Sequence, residues 1–261
     1  MSIPVRAVLC DIDGTLMFRG RAIPGAAQAV SDLRSAGIIL RFLTNISSLP
    51  PESIAYELSS NGFDIRSDEI ETSVTACASL LGGDAGSSVW LLVPDAVRHL
   101  FEECRKDAEN PDIVVVTDVR DGFSYAAMNE AYLKLVNGAR FIVPHRNMYW
   151  FSDTARCLDA GAFIAGLEAA TGQKATVAGK PSPAFFNEAL RKVGCRADEV
   201  LVVGDDVLTD ITGASACGMR SVLVETGKGS ARYPGELALQ PTWTMPSVAS
   251  LLPLLQFLNQ A

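Results

Sequence analysis

Two aspartates one residue apart follow a short apolar run near the start of the chain. Residues 7–10, AVLC, are too few for a helix and include strand formers, so they predict a strand buried on both faces of a parallel sheet. Asp11 and Asp13 would share one side of an extended chain, and Gly14 lets the backbone turn away after them. They would therefore lie at the carboxyl end of a strand, where open α/β sheets bind ligands.

Further along the chain, other polar side chains follow apolar runs or lie beside a predicted domain junction. Two of the runs are residues 38–43 and 200–203, and both predict buried strands. The residues in question are Thr44, Asn45, Lys180, Asp205, Asp206 and Asp210. If the strands are parallel and neighbouring, the residues that follow them converge on one edge of the sheet.

This set of side chains favours phosphoryl transfer. Clustered carboxylates repel one another unless a cation sits among them, and carboxylate oxygens with water suit Mg²⁺. A lysine and a hydroxyl facing that metal would form a phosphate site. Asp11 could then attack phosphorus to form an aspartyl phosphate, while Asp13 exchanges a proton with the leaving group and later with water.

The elements that must position these residues form an α/β pattern. A strand, a helix and a second strand occur within residues 7–43, which predicts a right-handed βαβ unit, and a similar pattern resumes after Lys180. Between them lies a further α/β pattern, which begins at the glycine- and serine-rich stretch 82–88. We expect a doubly wound parallel-sheet core formed by residues 1–82 and 179–261, with residues 83–178 inserted as an α/β cap domain.

Four motifs of this chain resemble those of the haloacid dehalogenase (HAD) superfamily of phosphatases, in the same order and with similar spacing. They are DIDGTL at 11–16, Thr44-Asn45, GKPSP at 179–183, and Gly204-Asp205-Asp206 with Asp210. The long insert before the third motif is similar to the large type IIA α/β cap of one branch. That branch includes NagD-type, p-nitrophenyl and phospholysine phosphohistidine inorganic pyrophosphate phosphatases. The resemblance implies a Rossmann-like core and a phosphatase activity.

The resemblance also implies a role for each matching residue. Asp11 would be the nucleophile and a Mg²⁺ ligand, Asp13 the acid and base that also offers its main-chain carbonyl to Mg²⁺, and Asp205 the third protein ligand. Thr44, the backbone at Asn45 and Lys180 would hold the phosphoryl oxygens. Asp206 and Asp210 would orient waters or Lys180, but the sequence leaves their roles open.

Substrate choice is expected to depend on the cap. Residues 145–153 and 158–162 are the loops that we expect to set specificity, and His145 is a candidate for contact with the substrate. The expected partner is a small phosphorylated metabolite. Members of this branch often dimerise through the cap, which makes a homodimer one option that the sequence leaves open.

The composition of the chain restricts the other classes of partner and its location. The net charge is −8, from 30 acidic and 22 basic residues, which argues against nucleic acid or an anionic membrane surface. No apolar run is long enough to span a membrane. The six cysteines show no C-x-x-C spacing, which favours reduced thiols and a cytoplasmic location.

Two competing interpretations place similar residues in other classes of protein. A response-regulator receiver also gathers acidic residues, a hydroxyl and a lysine around Mg²⁺, but it would have about half this length and no cap. A catalytically quiet HAD-fold relative would instead bind a phosphorylated ligand or a protein partner. Intact Asp11 and Asp13 weigh against this second alternative.

Overall fold

The structure, a computed structural model, describes residues 3–83, 86–230 and 239–260. These residues divide into two compact units. The first unit contains the described residues up to Thr44, Pro51–Glu71, and the described residues from Lys180 onward. The second contains Asn45–Pro50 and the described part of Thr72–Gly179.

The helices and strands alternate along most of the described chain. The amino-terminal elements are β1 (Ala7–Asp11), β2 (Met17–Phe18), β3 (Arg21–Ala22), α1 (Ala26–Ser35), β4 (Ile39–Thr44), α2 (Pro51–Ser60) and β5 (Ile70–Thr72). Then follow α3 (Ser73–Gly82), β6 (Ser88–Leu92), α4 (Asp95–Arg98), β7 (Arg105–Lys106), β8 (Ile113–Val116), α5 (Tyr125–Val136), β9 (Arg140–Val143), β10 (Tyr149–Phe151), β11 (Arg156–Leu158), α6 (Ala160–Thr171) and β12 (Thr176–Val177). The last elements are α7 (Pro183–Val193), β13 (Val200–Gly204), α8 (Thr212–Ala216), β14 (Arg220–Val224), β15 (Trp243–Met245) and α9 (Leu251–Gln260). Within the described ranges, none of these helices combines the length and the apolar character needed to cross a bilayer.

The first unit is built on a sheet with the strand order β15-β14-β13-β1-β4-β5 among the described residues. The central strand β1 is buried along its whole length and pairs in parallel with both β4 and β13. In this register Asp11 lies opposite Leu43, and Cys10 lies opposite Val203. The carboxyl ends of the three strands therefore meet at one edge, as the sequence predicts, and the parallel α/β core is confirmed.

The second unit is a smaller α/β fold of its own. Its parallel sheet has the order β12-β9-β8-β6-β7 within the described chain. Successive residues of β8 face opposite sides, because Ile113 and Val115 pack into one apolar cluster and Val114 and Val116 into another. Helix α3 contributes to the first cluster, whereas α5 and α6 contribute to the second. This confirms an α/β unit inserted into the core.

The bounds of the two units in the structure differ in detail from the predicted domain boundaries. Val74, Cys77 and Leu81 of α3 pack with the inserted sheet, so the second unit begins before residue 83. Residues 45–50 also belong to it, since Ser47 Oγ accepts the main-chain N–H of Asp118 at 3.2 Å. Residues 84–85 of the predicted boundary stretch lie outside the described residues. The domain bounds 1–82, 83–178 and 179–261 stay a prediction.

Two helical glycines provide a test of the packing. A Cβ at Gly213 of α8 would lie 1.9 Å from Cε2 of the fully buried Phe186, whereas a Cβ at Gly166 of α6 would meet nothing within 4 Å. We expect Gly213→Ala to lower the free energy of unfolding by about 1–3 kcal/mol through overpacking. Gly166→Ala should raise it by up to about 1 kcal/mol through helix propensity. Urea unfolding followed by circular dichroism measures both, and equal effects would contradict the packing.

Candidate active site

A buried lysine joins two aspartates at the carboxyl edge of the first unit's sheet. The ammonium of Lys180 donates to Asp11 Oδ1 at 2.5 Å and to Asp210 Oδ1 at 2.7 Å. All three side chains are buried, with Lys180 only 3% exposed. The hydroxyl of Thr15 donates to the other oxygen, Asp11 Oδ2, at 3.0 Å. Both oxygens of the Asp11 carboxylate are therefore held by hydrogen bonds.

Asp210 is brought to this edge by an unusual turn. A π-helical turn, Val207–Ile211, follows β13, and Asp206 caps its start by accepting the main-chain N–H of Leu208 at 2.9 Å. The main-chain N–H of Asp206 donates to Asp210 Oδ2 at 3.2 Å. A Cβ at Gly204 would lie 2.2 Å from Cγ of Asp210, so only glycine lets the carboxylate lie against the end of β13.

Asp205 is enclosed by two loops. A Cβ at Gly14 would lie 2.0 Å from Asp205 Oδ2, and a Cβ at Gly227 would lie 2.1 Å from the same atom. The main-chain N–H of Lys228 donates to Asp205 Oδ2 at 2.6 Å, and the Lys228 ammonium lies 2.8 Å from Asp206 Oδ2. The segment after β14 thus reaches the same edge of the sheet as the segment after β13.

The carboxylates of Asp11, Asp205 and Asp210 could hold a metal ion. Each offers one oxygen, and these oxygens lie within 4.8 Å of one another. Burial raises the pKa of all three groups, to about 7 for Asp210, while Lys180 opposes the rise at Asp11 and Asp210. A raised carboxyl pKa reports a charge that burial leaves only partly compensated, and a hard divalent cation with oxygen ligands fits such a set.

The structure gathers most of the predicted residues on one edge. Asp11, Lys180, Asp205 and Asp210 form the buried cluster, and Asp206 lies beside it. Thr44, the last residue of β4, is buried one position beyond the partner of Asp11. The side chain of Asp13 is exposed and does not belong to the group of three metal-competent side chains.

Asn45 and His145 lie in the second unit. The Asn45 amide donates to Asn147 Oδ1 at 3.4 Å, and its carbonyl accepts the hydroxyl of Ser73. His145 is buried, and its Nδ1 accepts the main-chain N–H of Asn147 at 3.2 Å. Its Nε2 therefore carries the proton and donates to Ser47 Oγ at 3.1 Å. These contacts organise the second unit internally, and the proposed role of His145 toward a substrate stays a prediction.

Sequence reasoning assigned no role to Thr15 and Lys228, which both contact the cluster. A signal for Lys228 was available, because residues 222–224 are a short apolar run within a predicted strand and Lys228 follows its carboxyl end. For Thr15, the signal was its place four residues after Asp11, within the turn that Gly14 begins.

Comparisons with known proteins match most of the chain. A family model described as Haloacid dehalogenase-like hydrolase matches residues 8–105, and one described as HAD-hydrolase-like matches residues 177–251. Human Haloacid dehalogenase-like hydrolase domain-containing protein 2 is 39% identical over 224 residues, which cover 86% of this chain and 85% of that protein. Human phospholysine phosphohistidine inorganic pyrophosphate phosphatase is 37% identical over 230 residues, covering 86% and 84%.

Solved structures agree with these relatives. NagD from E. coli K-12 superposes with a TM-score of 0.84 at 30% identity, covering 94% of this chain and 98% of NagD. Glycerol phosphate phosphatase from Mycobacterium tuberculosis, in complex with magnesium, has a TM-score of 0.85 at 29% identity. That match covers 96% of this chain and 78% of the other. The similarity in both sequence and structure therefore extends across both units.

The Lys180 ion pairs predict a pH-dependent loss of stability. A carboxyl group whose pKa is higher in the folded state contributes stability at low pH and loses it as the pH rises through the folded pKa, which is about 7 for Asp210. Lys180→Met removes the cation that limits the rise in the pKa of Asp11 and Asp210. We expect the variant to lose about 3–5 kcal/mol of unfolding free energy at pH 8 and clearly less at pH 5.

Urea unfolding of metal-free protein at the two pH values measures this difference. Lys174→Met is the matched control, because the Lys174 side chain is 79% exposed and its ammonium lies 3.6 Å from Glu168 Oε2. The control should change the stability by less than about 0.5 kcal/mol. A Lys180→Met loss that is the same at both pH values would contradict the argument.

Proposed function

The chain belongs to the haloacid dehalogenase-like hydrolases, as a NagD-like phosphatase, and from this premise we propose a Mg²⁺-dependent hydrolysis through an aspartyl phosphate. The proposed substrate is a small phosphate monoester, or a small phosphoanhydride or phosphoamide. One observation carries the proposal: Asp11, Lys180 and Asp205 lie in a single buried cluster at the edge where ligands bind in α/β sheets.

In the first step, an oxygen of Asp11 attacks phosphorus while the bond from phosphorus to the leaving oxygen breaks. Lys180 and Thr15 fix the direction of the Asp11 carboxylate beforehand, so little reorganisation is needed. Thr44, the main chain at Asn45 and Lys180 are proposed to bind the phosphoryl oxygens. Mg²⁺, held by the carboxylates of Asp11 and Asp205 and the carbonyl of Asp13, would neutralise charge on the phosphoryl group.

Asp13 is proposed to move the protons. Its exposed side chain gives a proton to the departing oxygen and then accepts one from the water that attacks the aspartyl phosphate. The second step forms a bond from the water oxygen to phosphorus and breaks the bond to Asp11. Phosphate leaves, and both aspartates return to their starting protonation states.

Known relatives support the proposed Mg²⁺ dependence and suggest the class of substrate. The glycerol phosphate phosphatase with a similar fold is a magnesium complex, and the phosphatase relative is named for phospholysine, phosphohistidine and inorganic pyrophosphate. We propose that residues 145–153 and 158–162 select among such compounds. These segments are not simple loops, because the structure places β10 and the first turn of α6 in them. A chimera exchanging both segments should change the substrate ranking with little change in p-nitrophenyl phosphate turnover, and an unchanged ranking would contradict this assignment. We also propose that the partner is a small metabolite, that the protein is cytoplasmic and that it forms a homodimer through the cap.

Replacement of the nucleophile should abolish turnover. We expect Asp11→Asn to lower Mg²⁺-dependent phosphate release from p-nitrophenyl phosphate by at least about a thousandfold, because an amide cannot form the acyl phosphate. Asp95→Asn is the matched control, since the Asp95 side chain is 98% exposed on the second unit. A wild-type protein with no turnover on a broad panel of phosphate esters would instead favour a catalytically quiet ligand-binding protein.

The loss of activity on replacing Asp13, the proposed acid, should depend on the leaving group. p-Nitrophenolate departs readily without a proton, whereas an alkoxide needs one. Asp13→Asn should therefore lower kcat/KM for an alkyl phosphate such as glycerol phosphate by about 10²–10⁴, and less for p-nitrophenyl phosphate. Steady-state kinetics on the two substrates measures the difference. An equal loss on both would show that Asp13 does not protonate the leaving oxygen.

A further inference from the structure

Lys228 contacts two consecutive aspartates of the acidic cluster. Its main-chain N–H donates to Asp205 Oδ2 at 2.6 Å, and its ammonium lies 2.8 Å from Asp206 Oδ2. The Lys228 side chain is 20% exposed and that of Asp206 is 15% exposed. The pair is thus largely shielded from water, and its electrostatic effect on the cluster is correspondingly stronger than that of a surface pair.

The segment that carries Lys228 lies against the turn that follows β1. Thr226 Oγ1 donates to the carbonyl of Gly14 at 2.5 Å. Gly227 has a positive φ of 55°, and a Cβ there would lie 2.5 Å from Cα of Gly14. The Asp205 carboxylate is therefore enclosed between Gly14 and Gly227, and the N–H of Lys228 sets the direction of one of its oxygens.

The charged groups of the site affect the binding of a cation and of an anion in opposite directions. Five aspartates and two lysines lie in or beside the cluster within the described residues: Asp11, Asp13, Asp205, Asp206, Asp210, Lys180 and Lys228. A divalent cation is attracted by the carboxylates, whereas a phosphoryl anion is attracted by the ammonium groups. Removing one ammonium should therefore strengthen cation binding and weaken anion binding.

We propose that Lys228 is a positioning residue that balances these two demands. Its main-chain N–H orients Asp205 as a metal ligand, and its ammonium offsets the charge of Asp206 so that the phosphoryl anion can bind beside the metal. This inference rests on the proposed Mg²⁺-dependent phosphatase function. It assigns Lys228 to neither proton transfer nor covalent chemistry.

The test measures Mg²⁺ and inorganic phosphate binding separately on the full-length chain. Isothermal titration at low ionic strength gives the Kd of Mg²⁺ for the metal-free protein and the Kd of phosphate at saturating Mg²⁺. For Lys228→Met we expect the Mg²⁺ Kd to fall roughly three- to tenfold and the phosphate Kd to rise by a similar factor. Lys228→Arg should remain near the wild type, because the charge is kept.

Two further variants separate charge from structure. Lys174→Met removes a surface ammonium of the second unit and should change neither Kd. Lys228→Met combined with Asp206→Asn removes the paired carboxylate as well, so both constants should return toward the wild-type values. If Lys228→Met does not fold, Lys228→Gln makes the same measurement, and unfolding of every uncharged variant overturns the charge-balance role.

Other outcomes overturn the inference. Weaker binding of both Mg²⁺ and phosphate by Lys228→Met would mean that Lys228 only supports the structure. If neither Kd changes, Lys228 has no role in balancing cation and anion binding. A wild-type protein that binds no Mg²⁺ would overturn the proposed function together with the inference. A wild-type protein that binds Mg²⁺ and releases phosphate, beside an unaffected Lys228→Met, would overturn the inference alone.

Discussion

The pairing of the Lys180 ammonium with the carboxylates of Asp11 and Asp210 is the interaction on which the site depends. The three residues come from distant parts of the chain, and all are buried. Burial alone would lower the pKa of Lys180, but the two carboxylates outweigh it and hold the lysine charged. The same ammonium limits the rise in pKa of both carboxyl groups. Each charge is therefore tolerable in the interior only because the others are present.

The parallel sheet makes this pairing possible. Because β1, β4 and β13 are neighbours in one register, the residues that follow them emerge at the same edge. Close approach at that edge needs glycine, since a Cβ at Gly14, Gly204 or Gly227 would overlap an aspartate carboxylate. The glycines of the motifs thus make room for the carboxylates rather than adding flexibility, and the main-chain N–H groups left beside them help to orient the aspartates.

A phosphatase of this kind must accommodate opposite charges in one small volume. The carboxylates that suit a divalent cation would repel a phosphoryl anion if no ammonium groups lay among them. Lys180 lies between Asp11 and Asp210, and Lys228 lies beside Asp206. The activity we propose and the balance assigned to Lys228 both follow from this distribution of charge, whereas the identity of the substrate depends on other parts of the chain.

The sequence alone determined the fold class, the family and the parallel core, because short buried strands and the DIDGTL and GDD motifs are local patterns. It also indicated that Asp11, Lys180 and Asp205 would meet, since strand ends in a parallel sheet converge. Only the tertiary structure decided that Asp210 shares Lys180 with Asp11 and that Lys228 reaches Asp205 and Asp206. It also placed α3 with the inserted sheet and gave His145 partners within the second unit. These contacts join residues far apart in sequence, and their geometry depends on the path of a π-helical turn and a loop that no local pattern specifies.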